Sequence, residues 1–148
     1  MPIFGDLTLS ISLGLSLVTI VLSIIYIATK DKRFFFTSER TILSVCFLVF
    51  LSTFSLFSSL LNSDFNVDYV ARYSSIETPI IYKFTAIWAG QSGSLLFWLF
   101  ILSGYVALVV IQNKNKHQKL MPFVIITLSS IQLFFLILVN FVANPFIP

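Results

Sequence analysis

Apolar residues run along this chain in long blocks, and the polar residues fall between them. No charged residue lies between Asp6 and Lys30, between Arg40 and Asp64, between Lys83 and Lys114, or after Lys119. An α-helix needs about 20 apolar residues to cross the hydrocarbon core of a bilayer. The blocks therefore predict four membrane-spanning helices, over about 7–29, 41–61, 87–111 and 122–142. Pro122 falls in the first turn of the last one, where its missing N–H is no loss. One stretch alternates instead: Phe65, Val67, Tyr69, Ala71 and Tyr73 against Asn66, Asp68, Val70 and Arg72. Period two predicts a short extended segment on the membrane surface, interrupted by Val70. Ser74-Ser75 and Pro79 then punctuate it, and Tyr69, Tyr73 and Tyr82 suit the headgroup zone.

Composition moves the chain into the membrane class. It is 57% hydrophobic and 10% charged, where a soluble domain carries about 25% charged residues. The expected fold is an all-α integral membrane protein, a single domain over 1–148 with the lipid bilayer as its solvent. Ser10, Ser12, Ser16 and Ser23 are tolerable in the first span, because their hydroxyls bond back to helix carbonyls or across to a neighbour. Met1–Asp6 has no basic residue and no clear cleavage site, so the first block reads as a retained helix rather than a signal.

Charge sets the orientation. The loops Lys30–Arg40 and Gln112–Lys119 hold seven of the nine Lys and Arg residues, and the remaining two are Arg72 and Lys83. The positive-inside bias puts the two basic loops in the cytoplasm. Both termini then face outside, with an outer loop of about 25 residues (Asn62–Thr85) between the second and third spans. The net charge of +3 is a topology signal and requires no nucleic-acid partner.

Candidate chemistry is sparse. Cys46 is the single cysteine, a small apolar residue in the second span rather than a metal ligand. His117 is the single histidine and sits among lysines in a cytoplasmic loop. With no carboxylate expected inside a span, a proton relay is not expected. The reading assigns no catalytic and no metal-binding residue. The informative stretch is W-A-G-Q-S-G-S-L-L-F-W, Trp88–Trp98. On one continuous helix Ala89 and Gly93 share a face, as do Gly90 and Ser94, and small residues at that spacing let helices approach closely. Gln91, Trp98 and Tyr105 form a stripe, with Trp98 about 15 Å deeper than Trp88. This is either a helix-packing motif with an interfacial Trp belt or a stripe facing an aromatic or cofactor-bearing partner. Asn140 reads as a capping or interhelix amide.

Four ordered motifs carry a resemblance: D-F-N-V-D-Y-V-A at Asp64–Ala71, P-I-I-Y-K-F at Pro79–Phe84, the Trp88–Trp98 stretch, and N-P-F at Asn144–Phe146. With them the chain resembles the N-terminal part of the CcmF family of cytochrome c haem lyases. The resemblance implies cytochrome c biogenesis: haem is taken from a periplasmic haem chaperone and attached to the C-x-x-C-H thiols of apocytochrome c. It implies a bacterial inner membrane, or the mitochondrial inner membrane if the protein is organellar. The family's Trp-rich WWD motif and haem-ligating histidines have no counterpart here, and Gln91-Ser92 stands where many members have His-Glu. Haem is therefore expected only through an assembled complex, with ligands from the remainder of the haem lyase or a split second subunit. Trp88, Gly90, Gln91, Gly93, Ser94, Trp98, Tyr69 and Tyr82 are the expected packing and outer-face groove residues. The alternative is a small structural or transport subunit of an unrelated membrane complex.

Overall fold

The computed structural model describes residues 2–148. All regular elements among them are helical. Helix α1 spans Pro2–Thr29, α2 Lys32–Leu61, α3 Asp68–Tyr73, α4 Ile80–Thr85, α5 Gln91–Gln112 and α6 Met121–Ile137. A 3₁₀ turn at Ala86–Trp88 precedes α5, and a π segment at Leu138–Val142 prolongs α6. Four segments are long and apolar enough to cross a membrane: Ile3–Thr29, Lys32–Leu61, Gln91–Gln112 and Met121–Val142. This is a multi-pass membrane protein.

The long helices form an antiparallel ring in the order α1, α2, α5, α6. Helix α1 lays Thr8, Ser12, Ser16, Thr19 and Ser23 into the interior, all buried. Two of these hydroxyls bond back one turn, Ser12 to the Thr8 carbonyl (2.7 Å) and Thr19 to that of Leu15 (2.9 Å). Others cross between helices: Ser16 donates to the Ser129 carbonyl of α6 (3.1 Å), and Ser52 of α2 donates to the Gly5 carbonyl (3.1 Å). Small side chains with self-satisfied hydroxyls allow close helix approach in lipid. Asn140 is an interhelix amide. It donates to the Leu136 carbonyl (2.8 Å) and accepts from Ser10 of α1 (3.3 Å).

Three expectations are corrected. First, the basic loop Lys30–Arg40 is mostly helix, because only Lys30 and Asp31 separate α1 from α2. Lys30 adopts a left-handed φ of 59° and closes α1; Asp31 caps α2 by accepting the Arg33 N–H at 3.0 Å. Helix α2 has 30 residues, about 45 Å at 1.5 Å per residue, so its basic first turns stand clear of the hydrocarbon core. Second, that extension carries Glu39 into the helix. Expected in a loop, Glu39 is instead helical and only 7% exposed. Its Oε1 has no hydrogen-bond partner among the described residues, and Lys114 supplies the compensating charge nearby.

Third, the alternating stretch is not extended. Asp68–Tyr73 is a helical turn and a half, with Val67 as its extended N-cap. Asp68 and Arg72 pair across one turn (2.7 Å), and Asp in the first turn with Arg in the last complements the helix dipole. Helical spacing also brings Tyr69 and Tyr73 onto one side, their ring centroids 4.8 Å apart. Burial of Val67, Tyr69 and Val70 outweighs the period-two pattern.

Candidate functional site

The third span does not start as one continuous helix. Between the 3₁₀ turn and α5, Gly90 takes an extended conformation (φ −119°, ψ 167°) as N-cap, with no side-chain cap. The break is held by Tyr69, which is 4% exposed. Its hydroxyl lies 2.9 Å from the Ala86 carbonyl and 3.0 Å from that of Ile87, and it accepts the Gly90 N–H at 3.1 Å. One phenol thus satisfies backbone groups on both sides of the break. The glycines make room for it. A Cβ at Gly93 would meet the Ile87 carbonyl and the Tyr69 hydroxyl, and one at Gly90 would come 2.5 Å from the Tyr73 ring. The small residues therefore receive tyrosines, rather than drawing two helix backbones together as expected. Ser94 closes the turn by donating to the Trp88 carbonyl (3.0 Å).

Burial pushes the Tyr69 phenol above the usual tyrosine range, with the Gly90 N–H partly opposing it. The folded state thus keeps this proton longer than the unfolded chain does. Its stabilisation is complete below about pH 10, the ordinary tyrosine value, and declines as pH rises beyond it. Proteolytic cleavage between Leu61 and Gln91 is expected to accelerate above pH 10 in the wild-type chain. In Tyr69→Phe it is expected to be fast already at pH 8 and to respond less to alkali. Equal pH profiles for the two chains would remove Tyr69 as the titrating group.

Of the expected site residues, Tyr69 and Gln91 line one depression and Trp88 lines another. A polar cleft of about 390 Å³ is lined by Asp68, Tyr69, Arg72, Tyr73, Gln91, Ser92 and Asn144, among others. The carboxyl-terminal segment forms one wall. Asn144 donates to Asp6 (2.6 Å), the Ile147 carbonyl accepts the Asp68 N–H (3.0 Å), and the Phe146 ring fills the space beside Gly5. The N-P-F element thus ties the two ends of the chain together, and the adjacent Ile147 joins them to α3. The second depression is an apolar groove between α2 and α5. Trp88 stands at its mouth, 5.3 Å from Phe97 and 6.2 Å edge-on from Phe84 by ring centroid.

Trp98 and Tyr105 face outward on α5, 61% and 66% exposed, and Tyr82 is 66% exposed on α4. The two tryptophans do not meet. Gln91 is exposed on the cleft rather than buried at an interface. Tyr69 is buried within the protein, whereas Tyr73 and Tyr82 are exposed. Not foreseen were the packing of Tyr73 against Gly90, the Asp68–Arg72 pair and the contact of Phe84 with Trp88. The signal was present: a Tyr-x-x-x-Tyr spacing and a Gly-x-x-Gly spacing, with an i,i+4 charge pair one residue ahead of the tyrosines.

No histidine lines the cleft. His117, the only histidine, lies between α5 and α6, at the opposite end of α5 from the cleft. Among the described residues no cluster of three or more His, Cys, Asp or Glu side chains could hold a metal ion. What the region offers is a polar cleft beside an aromatic groove, joined by the tyrosine-held break.

No family model matches the chain. Individual proteins do. It is 30% identical over 150 residues to the cytochrome c-type biogenesis protein CcmF of Escherichia coli, covering 99% of this chain and 23% of that protein. It is 29% identical over 143 residues to the cytochrome c-type biogenesis protein CycK of Bradyrhizobium diazoefficiens, covering 97% of this chain and 22% of that one. A solved structure, the cytochrome c haem lyase CcmF, superposes with a TM-score of 0.91 at 27% identity, over 99% of this chain and 24% of its own. The chain thus spans about a quarter of the length of the relatives it matches.

Proposed function

We propose, taking the chain as the counterpart of the N-terminal portion of CcmF, that it serves cytochrome c biogenesis as a framework part of a haem lyase. The single observation that carries this is the TM-score of 0.91 to the solved haem lyase across 99% of the chain. The proposed location is the inner membrane, with the termini, the polar cleft and Trp88 on the periplasmic side. Lys and Arg counts support that orientation. Haem chaperone and apocytochrome c would meet the complex on this face. Histidine ligands to the iron would come from outside these 148 residues, because His117 lies at the far end of α5 from the cleft. The contribution of this chain is shape. Tyr69 fixes the start of α5, and Gly90 and Gly93 admit the tyrosines that wall the cleft.

Removal of the chain from its host is expected to abolish covalent haem attachment, read as haem-stained c-type cytochromes after denaturing electrophoresis. Restoring the wild-type chain recovers the stain. Trp88→Ala, with the chain still at wild-type abundance, is expected to lower it severalfold, because Trp88 links α4 to the groove through Phe84 and Phe97. Unchanged haem staining in the deletion strain would end this reading.

A further inference from the structure

The groove between α2 and α5 continues past its aromatic mouth. Its inner half, about 420 Å³, is lined by Cys46, Ser103, Gly104 and Ala107 with flanking apolar side chains, and Phe50 and Phe100 belong to both halves. On α2 the lining includes Leu43, Cys46, Phe50, Thr53 and Phe57, at steps of three and four. On α5 it includes Phe97, Phe100, Gly104, Ala107 and Ile111, again at steps of three and four. Each helix thus turns a heptad-spaced stripe to the same opening. That is the pattern by which helices receive the side chains of another helix. The floor narrows to small residues in the inner half, where a backbone can come close. A Cβ built at Gly104 meets nothing within 4 Å, although the glycine sits in the middle of a long apolar helix.

We infer that this groove seats a further membrane-spanning helix of the haem lyase, one lying outside the 148 residues. The solved haem lyase chain is covered to only 24% by this chain, so most of such a protein is available to supply it. Lipid tails would fill a groove of any shape and call for neither the paired stripes nor the small-residue floor. The inference rests on the haem lyase reading of the preceding subsection and adds the surface through which assembly occurs.

Two matched pairs of positions test it. Gly14 on α1 resembles Gly104 in having nothing within 4 Å of a built Cβ, yet it lies outside the groove. Gly104→Leu is expected to lower recovery of the remaining haem lyase segment with the detergent-solubilised protein about tenfold, and Gly14→Leu to leave it unchanged. A benzophenone side chain placed at Phe50 is expected, on irradiation, to join a peptide that belongs to the haem lyase but lies outside these 148 residues. The same probe at Val18 on α1, similarly exposed (46% against 49%), is expected to yield lipid adducts. Lipid alone at Phe50, or a second copy of this chain there, overturns the inference, as does equal recovery with the two leucine variants. If the wild-type chain itself recovers no haem lyase segment, the functional reading falls first and this one with it.

Discussion

Gly93→Ala is expected to disrupt the outer face of the protein, whereas Gly90→Ala is expected to be tolerated. The two glycines are three residues apart and look equivalent in the sequence. At Gly93 the added methyl would meet the Ile87 carbonyl and the hydroxyl of buried Tyr69. Neither can retreat, since one is backbone and the other is bonded on three sides. Overpacking of this kind costs about 1–3 kcal/mol. Displacing the phenol forfeits hydrogen bonds worth about 1 kcal/mol each, and the gain in helix propensity returns about 1 kcal/mol. A net loss of about 2 kcal/mol or more follows. At Gly90 the obstacle is the Tyr73 ring, which is 41% exposed and can swing outward. Limited proteolysis between Leu61 and Gln91, run on both variants in detergent, reads the difference. Similar cleavage rates would show that Tyr69 can yield after all.

Gln132→Glu is expected to reduce the protein in the membrane sharply, and Gln132→Leu to leave its level near wild type. Gln132 lies in α6 and is fully buried. Its amide donates to the Ser103 hydroxyl at 3.0 Å and approaches the Cys46 sulfur at 3.6 Å. Its carbonyl oxygen has no partner among the described residues. A charged carboxylate there costs about 3 kcal/mol. Keeping it neutral at pH 7, from an ordinary glutamate value near 4.3, costs about the same. Leucine removes an amide whose oxygen was already unsatisfied, and Ser103 can bond back to its own helix instead. Quantitative immunoblotting of membranes checks both variants. Comparable loss with leucine and glutamate would mean the amide carries specific structure beyond one hydrogen bond.

The span count was legible because charge-free blocks of about 20 residues have few other uses. Pro122 marked the start of α6 correctly for a local reason. The start of α2 was not legible, because hydropathy reports where lipid begins and not where a helix begins. Lys32–Arg40 is helical although it is strongly charged, and Asp31 caps it. In Asp68–Tyr73 two periodicities competed in six residues, too few for either to win on pattern. The contact of Tyr69 with Gly90 and Gly93 decided the outcome, and that contact spans 21 and 24 positions of sequence. The candidate site was legible as a stretch but not as a geometry. Gly90 and Gly93 were singled out for a role between helices, and their role is to accept rings from a short surface helix.

The two-residue turn at Lys30–Asp31 bears on the order in which the chain is made. Helices α1 and α2 are contiguous, and several of their hydroxyls are satisfied by their own carbonyls. They can enter the bilayer as a ready hairpin during synthesis, without waiting for later spans. Tyr69 emerges next but finds its acceptors at Ala86 and Ile87 only after α4 has been made. The outer surface is thus the last part to close, and closing it aligns α5 along α2. Ribosome-proximal chaperoning of this protein would then matter least for its first half and most for the interval between Tyr69 and the end of α5.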